Sequence, residues 1–273
     1  MSYFTLGDIP KKDLNLVKDQ IEIQRDGNIT YYRRKDLDID PEFFREYLIS
    51  DTPPMINPNR ARCVQKVESP RGELYVKRFH YHRTYRKKHR WFFGYRFQRA
   101  YGPTYLSRAL TACERGHPIT EPLLAARWPS EIIRQESLVV MRPVEGTPLK
   151  NIFRDPKVPV PQKLSLLKKT LRSLFKMHLD KIAYGDTKIR HILINQKNQP
   201  NWIDFDKIQI DTKNRLLFLD DLRRLLVTAA NHFVDSEIDR EEFFSEIWEV
   251  YLSTTHYSGT FNRLLRFQCK RRI

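Results

Sequence analysis

The stretch His178-Leu179-Asp180-Lys181-Ile182-Ala183-Tyr184-Gly185-Asp186-Thr187-Lys188-Ile189-Arg190-His191-Ile192-Leu193-Ile194 places an acid, Asp186, in a loop between two regular elements. Upstream, Leu164, Leu167, Leu171, Leu174, Phe175 and His178 recur at three- and four-residue steps, with Lys168, Lys169, Arg172 and Lys176 on the other face. That spacing predicts an amphipathic core helix running into the loop. Downstream, Ile192-Leu193-Ile194 predicts a short apolar strand, Asn195 to Asn201 a polar turn, and Trp202-Ile203-Asp204-Phe205-Asp206 a second strand. A hairpin of this kind brings Asp204 back beside Asp186. One carboxylate before a hairpin and one after it suits phosphoryl transfer, in which one acid orients the attacking hydroxyl and the other holds a metal on the phosphates.

Working outward, Arg215 to Asn231 predicts another helix, with Asp220 and Asp221 near its start, where the helix dipole favours acids. Ser236 to Leu252 reads as a helix with an acidic face, and Phe261 to Ile273 as a basic amphipathic tail. Towards the N-terminus, Asp26-Gly27-Asn28 between Ile21–Arg25 and Ile29–Tyr32 predicts a hairpin. A short helix is expected from Pro41 to Leu48, then a proline-dense extended connector from Asp51 to Pro58. A second hairpin joins Arg62–Val67 to Glu73–Phe79 through Ser69-Pro70-Arg71-Gly72 and carries Lys77, on position alone a solvent-facing strand residue. Tyr105 to Arg115 predicts a helix stopped by Gly116 and Pro118. Strands follow at Glu121–Arg127 and Ser137–Met141, and a hinge between lobes is placed in the stretch Arg142–Leu149.

The 273 residues are 40% hydrophobic and 30% charged, ample for one large domain or two lobes. No apolar run approaches the roughly 20 residues needed to cross a bilayer, and the N-terminus lacks a secretory signal, so a cytoplasmic protein is expected. Cys63, Cys113 and Cys269 lie far apart, without a disulfide framework or a zinc motif. The net charge of +16 points to a polyanionic partner. Basic residues interleave with aromatics from Phe79 to Arg99, a composition that fits single-stranded nucleic acid, an anionic membrane surface, or a solvated helix. No G-x-G-x-x-G or G-x-x-x-x-G-K-[ST] loop is present, which argues against a Walker-type nucleotide site.

Taken in order, Val76-Lys77, the hinge near Arg142, Gly185-Asp186-Thr187-Lys188 with His191, Ile203-Asp204-Phe205-Asp206 and Asp221-Leu222 resemble a protein-kinase-like fold. More narrowly, the chain resembles the bacterial lipopolysaccharide-core (Kdo/heptose) kinases, most specifically over Tyr184–Asp206 and more broadly over Arg62–Leu226. The resemblance implies a two-lobed α+β fold, with a small β-rich N-lobe at residues 1–142, its first 60 residues poorly read, and a mainly helical C-lobe at 143–273. It implies ATP and Mg2+ as cofactors, Asp186 as the base on the acceptor hydroxyl and Lys188 as neutraliser of the transferred phosphoryl. Asp204 would hold the metal, with His191 in the place of a second, weaker ligand, since magnesium prefers oxygen. Lys77, Met141 and Arg142 would contact ATP, and Asp221 would brace the catalytic loop.

Three departures stand out. The glycine-rich phosphate loop is reduced at best to Ser69-Pro70-Arg71-Gly72, the helix glutamate expected to pair with Lys77 is missing from Tyr105–Ala112, and Asp206 replaces a glycine. The function implied is phosphorylation of a sugar, a heptose, in the lipopolysaccharide inner core, with the glycolipid and the anionic inner-membrane surface as partners and nucleic acid set aside. The alternatives are a protein or small-molecule kinase of the same fold and a degenerate kinase-like binding protein.

Overall fold

The computed structural model describes residues 9, 11–45, 62–70, 72–79, 101–131, 134–233 and 239–272. The basic aromatic run after Phe79, the proline-dense connector and the second half of the expected helix at Pro41–Leu48 lie outside these residues. Two compact units divide the chain, residues 1–111 with 120–143 and residues 112–119 with 144–273. The segment 112–119, expected in the N-lobe, thus belongs to the second unit.

In the first unit, helix α1 (Lys11–Val17) precedes strands β1 (Ile21–Asp26) and β2 (Ile29–Arg34). Their two-residue turn has Gly27 at φ +55°, the left-handed geometry that a tight hairpin demands. Next comes a single 3-10 turn, Glu42–Phe44, which the Asp40 side chain starts by accepting from the Glu42 N–H at 2.9 Å. Strands β3 (Arg62–Ser69) and β4 (Gly72–Phe79), helix α2 (Tyr101–Glu114) and strands β5 (Pro122–Glu131) and β6 (Arg134–Met141) follow. The sheet is six-stranded and antiparallel, in the order β1-β2-β5-β6-β4-β3.

Strand alternation gives this sheet two faces. Leu74, Val76, Leu124, Ala126, Leu138 and Val140 join Ile39, Phe44 and Trp128 in one apolar cluster. The other face carries Lys77 opposite Val139 and Tyr75 opposite Met141, and packs against α2 through Phe79 and Tyr105.

The second unit contains helices α3 (Leu149–Arg154), α4 (Val160–Leu179), α5 (Arg215–His232), α6 (Arg240–Thr254) and α7 (Gly259–Lys270). A small sheet in the order β7 (Thr147–Pro148), β8 (Ile192–Ile194), β9 (Pro200–Trp202) carries the hairpin. Helix α4 buries Leu167, Leu171, Leu174 and His178 as its spacing implies, and adds Leu166, Thr170 and Met177. Side chains of Asn214, Asp239 and Ser258 cap α5, α6 and α7, which ends each preceding loop at a defined residue. No described helix is long and apolar enough to cross a membrane.

Candidate active site

The loop that carries Asp186 is held from below by Asp221. Helix position suggests that this acid serves the positive end of its helix, and the family resemblance that it braces the loop; α5 starts at Arg215, so Asp221 lies well inside it and is fully buried. Its carboxylate accepts the backbone N–H of Tyr184 at 2.7 Å, that of Gly185 at 2.7 Å and the hydroxyl of Thr187. His178 Nε2 lies 3.4 Å away. A buried carboxylate is stable only with such a set of donors, and here the donors belong to the loop that carries Asp186. Gly185 is required at its position, because φ is +85° and a Cβ there would stand 2.6 Å from the Lys207 carbonyl oxygen. Tyr184 packs on Trp202 and Phe205 and donates its hydroxyl to the Ile203 carbonyl, which ties the loop to the end of the hairpin.

Asp186 therefore sits on a fixed backbone, with its side chain 16% exposed. Its Oδ1 receives Lys188 Nζ at 2.7 Å and Arg224 NH1 at 3.1 Å. Burial by itself lifts this carboxyl, but the hydrogen bond and charge of Lys188, with the charge of Lys207, outweigh it and hold the group below its ordinary value. Both cations make their closest contact with Oδ1, and Oδ2 lies 3.9 Å from His191 Nδ1. The cations on Oδ1 leave Oδ2 as the oxygen that can meet a hydroxyl.

His191 is fixed in one tautomer. Its Nδ1 lies 2.9 Å from the Asp186 carbonyl oxygen, which only accepts, so Nδ1 carries the proton. Nε2 then presents its lone pair, accepts from Arg190 Nε at 3.0 Å, and lies 3.5 Å from Asp204 Oδ2. Burial pushes the His191 pKa below its ordinary value despite the neighbouring acids, which favours the neutral ring. Asp204 was expected on a strand, but β9 ends at Trp202, and Asp204 follows with φ +74°, a left-handed conformation that Asp tolerates better than most residues. Asp206, in the place of a glycine, is outside that region.

Ligand atoms of Asp186, His191 and Asp204 lie within 4.8 Å of one another. Two carboxylates this close are electron-rich groups that a cation would reconcile, so Asp186 and Asp204 fit a hard divalent ion such as magnesium. The Nε2 lone pair of His191 is taken by Arg190, so the imidazole stands beside such an ion and the carboxylate oxygens would hold it.

In the first unit, Lys77 is 5% exposed, so it does not face solvent as its strand position alone implied. Its ammonium lies 5.6 Å from the centroids of the Phe79 and Tyr105 rings. The α2 residue beside it is thus an aromatic, while Glu114 ends the helix exposed. Met141 shares the face of Lys77 and its sulfur accepts the Tyr105 hydroxyl at 3.2 Å. The Arg142 guanidinium pairs with Glu121 at 2.7 Å. Arg142 also lines a cavity of about 700 Å³ with Leu37, Phe43, Leu74 and Leu123. The Ser69–Gly72 turn, closed by Ser69 Oγ donating to the Gly72 carbonyl at 2.7 Å, borders the same cavity through Ser69 and Pro70. Leu74 belongs to the sheet face opposite Lys77, so this cavity is separate from the lysine's surroundings.

The structure brings together Asp186, Lys188, His191, Asp204 and Asp221 in one unit and places Lys77, Met141 and Arg142 in the other. Sequence reasoning missed Arg224 and Arg190. Arg224 had a signal: it stands three residues after Asp221, on the side of α5 that meets the loop.

A loop braced on a buried helix acid, a second acid after a short hairpin, and an antiparallel sheet carrying a buried lysine define a protein-kinase-like phosphotransferase fold. The pattern of the lipopolysaccharide kinase (Kdo/WaaP) family matches residues 59–246, more than half of the chain and further than the expected Arg62–Leu226. The chain belongs to this family and is a lipopolysaccharide kinase in the general sense. No curated protein matches it individually.

Proposed function

We propose that this chain transfers the γ-phosphoryl group of ATP to a sugar hydroxyl, that of a heptose, in the lipopolysaccharide inner core. The observation that carries this reading is the asymmetric loading of Asp186, with Lys188 and Arg224 both closest to Oδ1 and, among the described residues, no hydrogen bond seen on Oδ2. Oδ2 would accept the proton of the acceptor hydroxyl as its oxygen bonds to the γ-phosphorus. The bond from that phosphorus to the β–γ bridging oxygen breaks, and ADP leaves. A carboxylate held below its ordinary pKa is a weak base early in the reaction, so Asp186 mainly orients the hydroxyl and takes the proton late. Lys188 stands beside it, placed to offset charge on the transferred group.

Asp204, with His191 beside it, would hold a divalent ion such as Mg2+, which when bound neutralises charge on the nucleotide phosphates. Lys77 would contact those phosphates. Met141 and Arg142 would meet the nucleotide base, Arg142 through its carbonyl oxygen because Glu121 holds its guanidinium and its backbone N–H. Helix α7 supports attachment to the anionic inner face of the inner membrane. It exposes Leu264 and Phe267 among Arg263, Arg266, Lys270 and Arg271.

One specific observation favours a second reading, a kinase-like binder without turnover: residues 101–113 of α2 contain no aspartate or glutamate. ADP release with purified core glycolipid separates the two. Wild type is expected to add one phosphate to the glycolipid by mass spectrometry, and Asp186→Asn to slow this by roughly 10²–10⁴-fold. Equal background rates for both proteins would defeat the enzyme reading.

A further inference from the structure

Beyond Arg224 from Asp186, the second unit has a recess of about 630 Å³ lined by Asp220, Arg223, Gln268, Arg271 and Arg272. Three of these residues come from α7 and the turn after it, beyond the span that matches the family. Helix α7 is anchored by Leu265 and Cys269, both fully buried, so the residues that face the recess are held by a packed element.

The charge of the recess is unbalanced. Its one carboxylate, Asp220, is already committed, with Oδ1 to Arg223 and Oδ2 to Arg224 Nε at 2.6 Å. Burial raises the Asp220 carboxyl, and these two guanidinium groups overcome that and keep it ionised. Arg223 is balanced by this contact, while Arg271 and Arg272 are exposed and bring two further positive charges. The Arg271 guanidinium lies 5.6 Å from the Phe267 ring centroid, which limits its freedom. Position matters as much as charge. Arg224 uses Nε for Asp220 and NH1 for Asp186, so one planar guanidinium separates the wall of the recess from the catalytic carboxylate.

Guanidinium groups with Gln268 in the same lining suit the oxygens of a carboxylate or a phosphate monoester, which they bind in a forked geometry. The volume is also much larger than one such group needs and would admit the sugar that bears it. We propose that the recess is an acceptor subsite for an anionic substituent, carboxylate or phosphate, on a sugar next to the one phosphorylated, and that it selects which hydroxyl reaches Asp186. This inference rests on the sugar-kinase reading above.

The test uses the full chain and a soluble, delipidated core oligosaccharide, so that membrane attachment plays no part. Arg271→Gln with Arg272→Gln changes only exposed side chains. The double variant is expected to raise the KM for the oligosaccharide at least tenfold, with kcat and the KM for ATP nearly unchanged. An oligosaccharide with its phosphates removed and its carboxyls reduced is expected to give wild type and variant the same high KM. An unchanged KM on the intact oligosaccharide overturns the proposal, as does an equal loss on both acceptors. Loss of binding to anionic phosphatidylglycerol vesicles with an unchanged oligosaccharide KM would assign the recess to lipid headgroups and overturn it too. If wild type turns over no acceptor, the sugar-kinase reading fails. Calorimetry with the same oligosaccharide then decides the subsite: weaker binding by the variant upholds it, and equal binding removes it.

Discussion

Arg224 reaches from α5 to Asp186, placing NH1 3.1 Å from Oδ1. The two residues are 38 positions apart, and the same guanidinium holds Asp220 through Nε. Arg224 is therefore a positioning residue. With Lys188 it occupies one oxygen of Asp186, the proposed base.

Arg224→Met removes one of these two cations without touching the acceptor. Turnover is expected to fall by up to ~100-fold while the KM for ATP stays near wild type, because a misaligned base lowers kcat more than it weakens nucleotide binding. Arg224→Lys should recover part of the loss, whereas a merely structural role would show as equal destabilisation in both variants. Steady-state kinetics with a parallel urea denaturation curve checks this.

Asp221→Ala leaves the N–H groups of Tyr184 and Gly185 and the Thr187 hydroxyl without their acceptor inside a dry core. A loss of about 2–4 kcal/mol in unfolding free energy is expected, together with loss of activity. If urea unfolding shows Asp221→Ala as stable as wild type, the bracing role assigned to this acid is wrong.

His117 is buried within the second unit, and its Nε2 lies 2.9 Å from Asp180 Oδ2 but off the hydrogen-bond direction. Burial lowers its pKa below 6.5, more than Asp180 raises it. Below pH 6.5 the unfolded chain takes up a proton that the folded chain resists, so stability falls as the pH drops from 6.5 towards the folded-state value, and this contribution is flat above 6.5. Denaturation midpoints at pH 7.5 and 5.5 should therefore differ less in His117→Leu than in wild type.

Leu264 and Phe267 are 43% and 60% exposed on α7, one turn apart, between arginines and lysines. Replacing both with Glu is expected to weaken co-sedimentation with anionic vesicles by about tenfold or more, and added salt should weaken wild-type binding as well. Activity on the delipidated oligosaccharide should persist. Retention of vesicle binding in the double variant would place the membrane contact elsewhere.

Much of the loop was legible in the chain. Asp186, Lys188, His191 and Asp204 lie within nineteen residues, where helix spacing, a strand of three isoleucine and leucine residues and a polar turn set their neighbourhood through local rules. Asp221 was identified through the family resemblance, but its partners were not. Helix periodicity names a face, and only packing decides which N–H groups that face meets. Lys77 shows the same limit. Its strand was read correctly, yet whether it met water or a helix depended on α2 folding back across the sheet.

By itself, the sequence determined the order of elements, the loop with its flanking acids and the strong positive charge, because backbone periodicity, turn chemistry and composition act over a few residues. Tertiary structure alone decided that Asp204 leaves its strand in a left-handed turn, that Arg224 steers Asp186 and that α7 closes an arginine recess beside them. Each of these joins residues that sequence distance leaves independent, and only the burial of shared apolar surface holds them at contact distance.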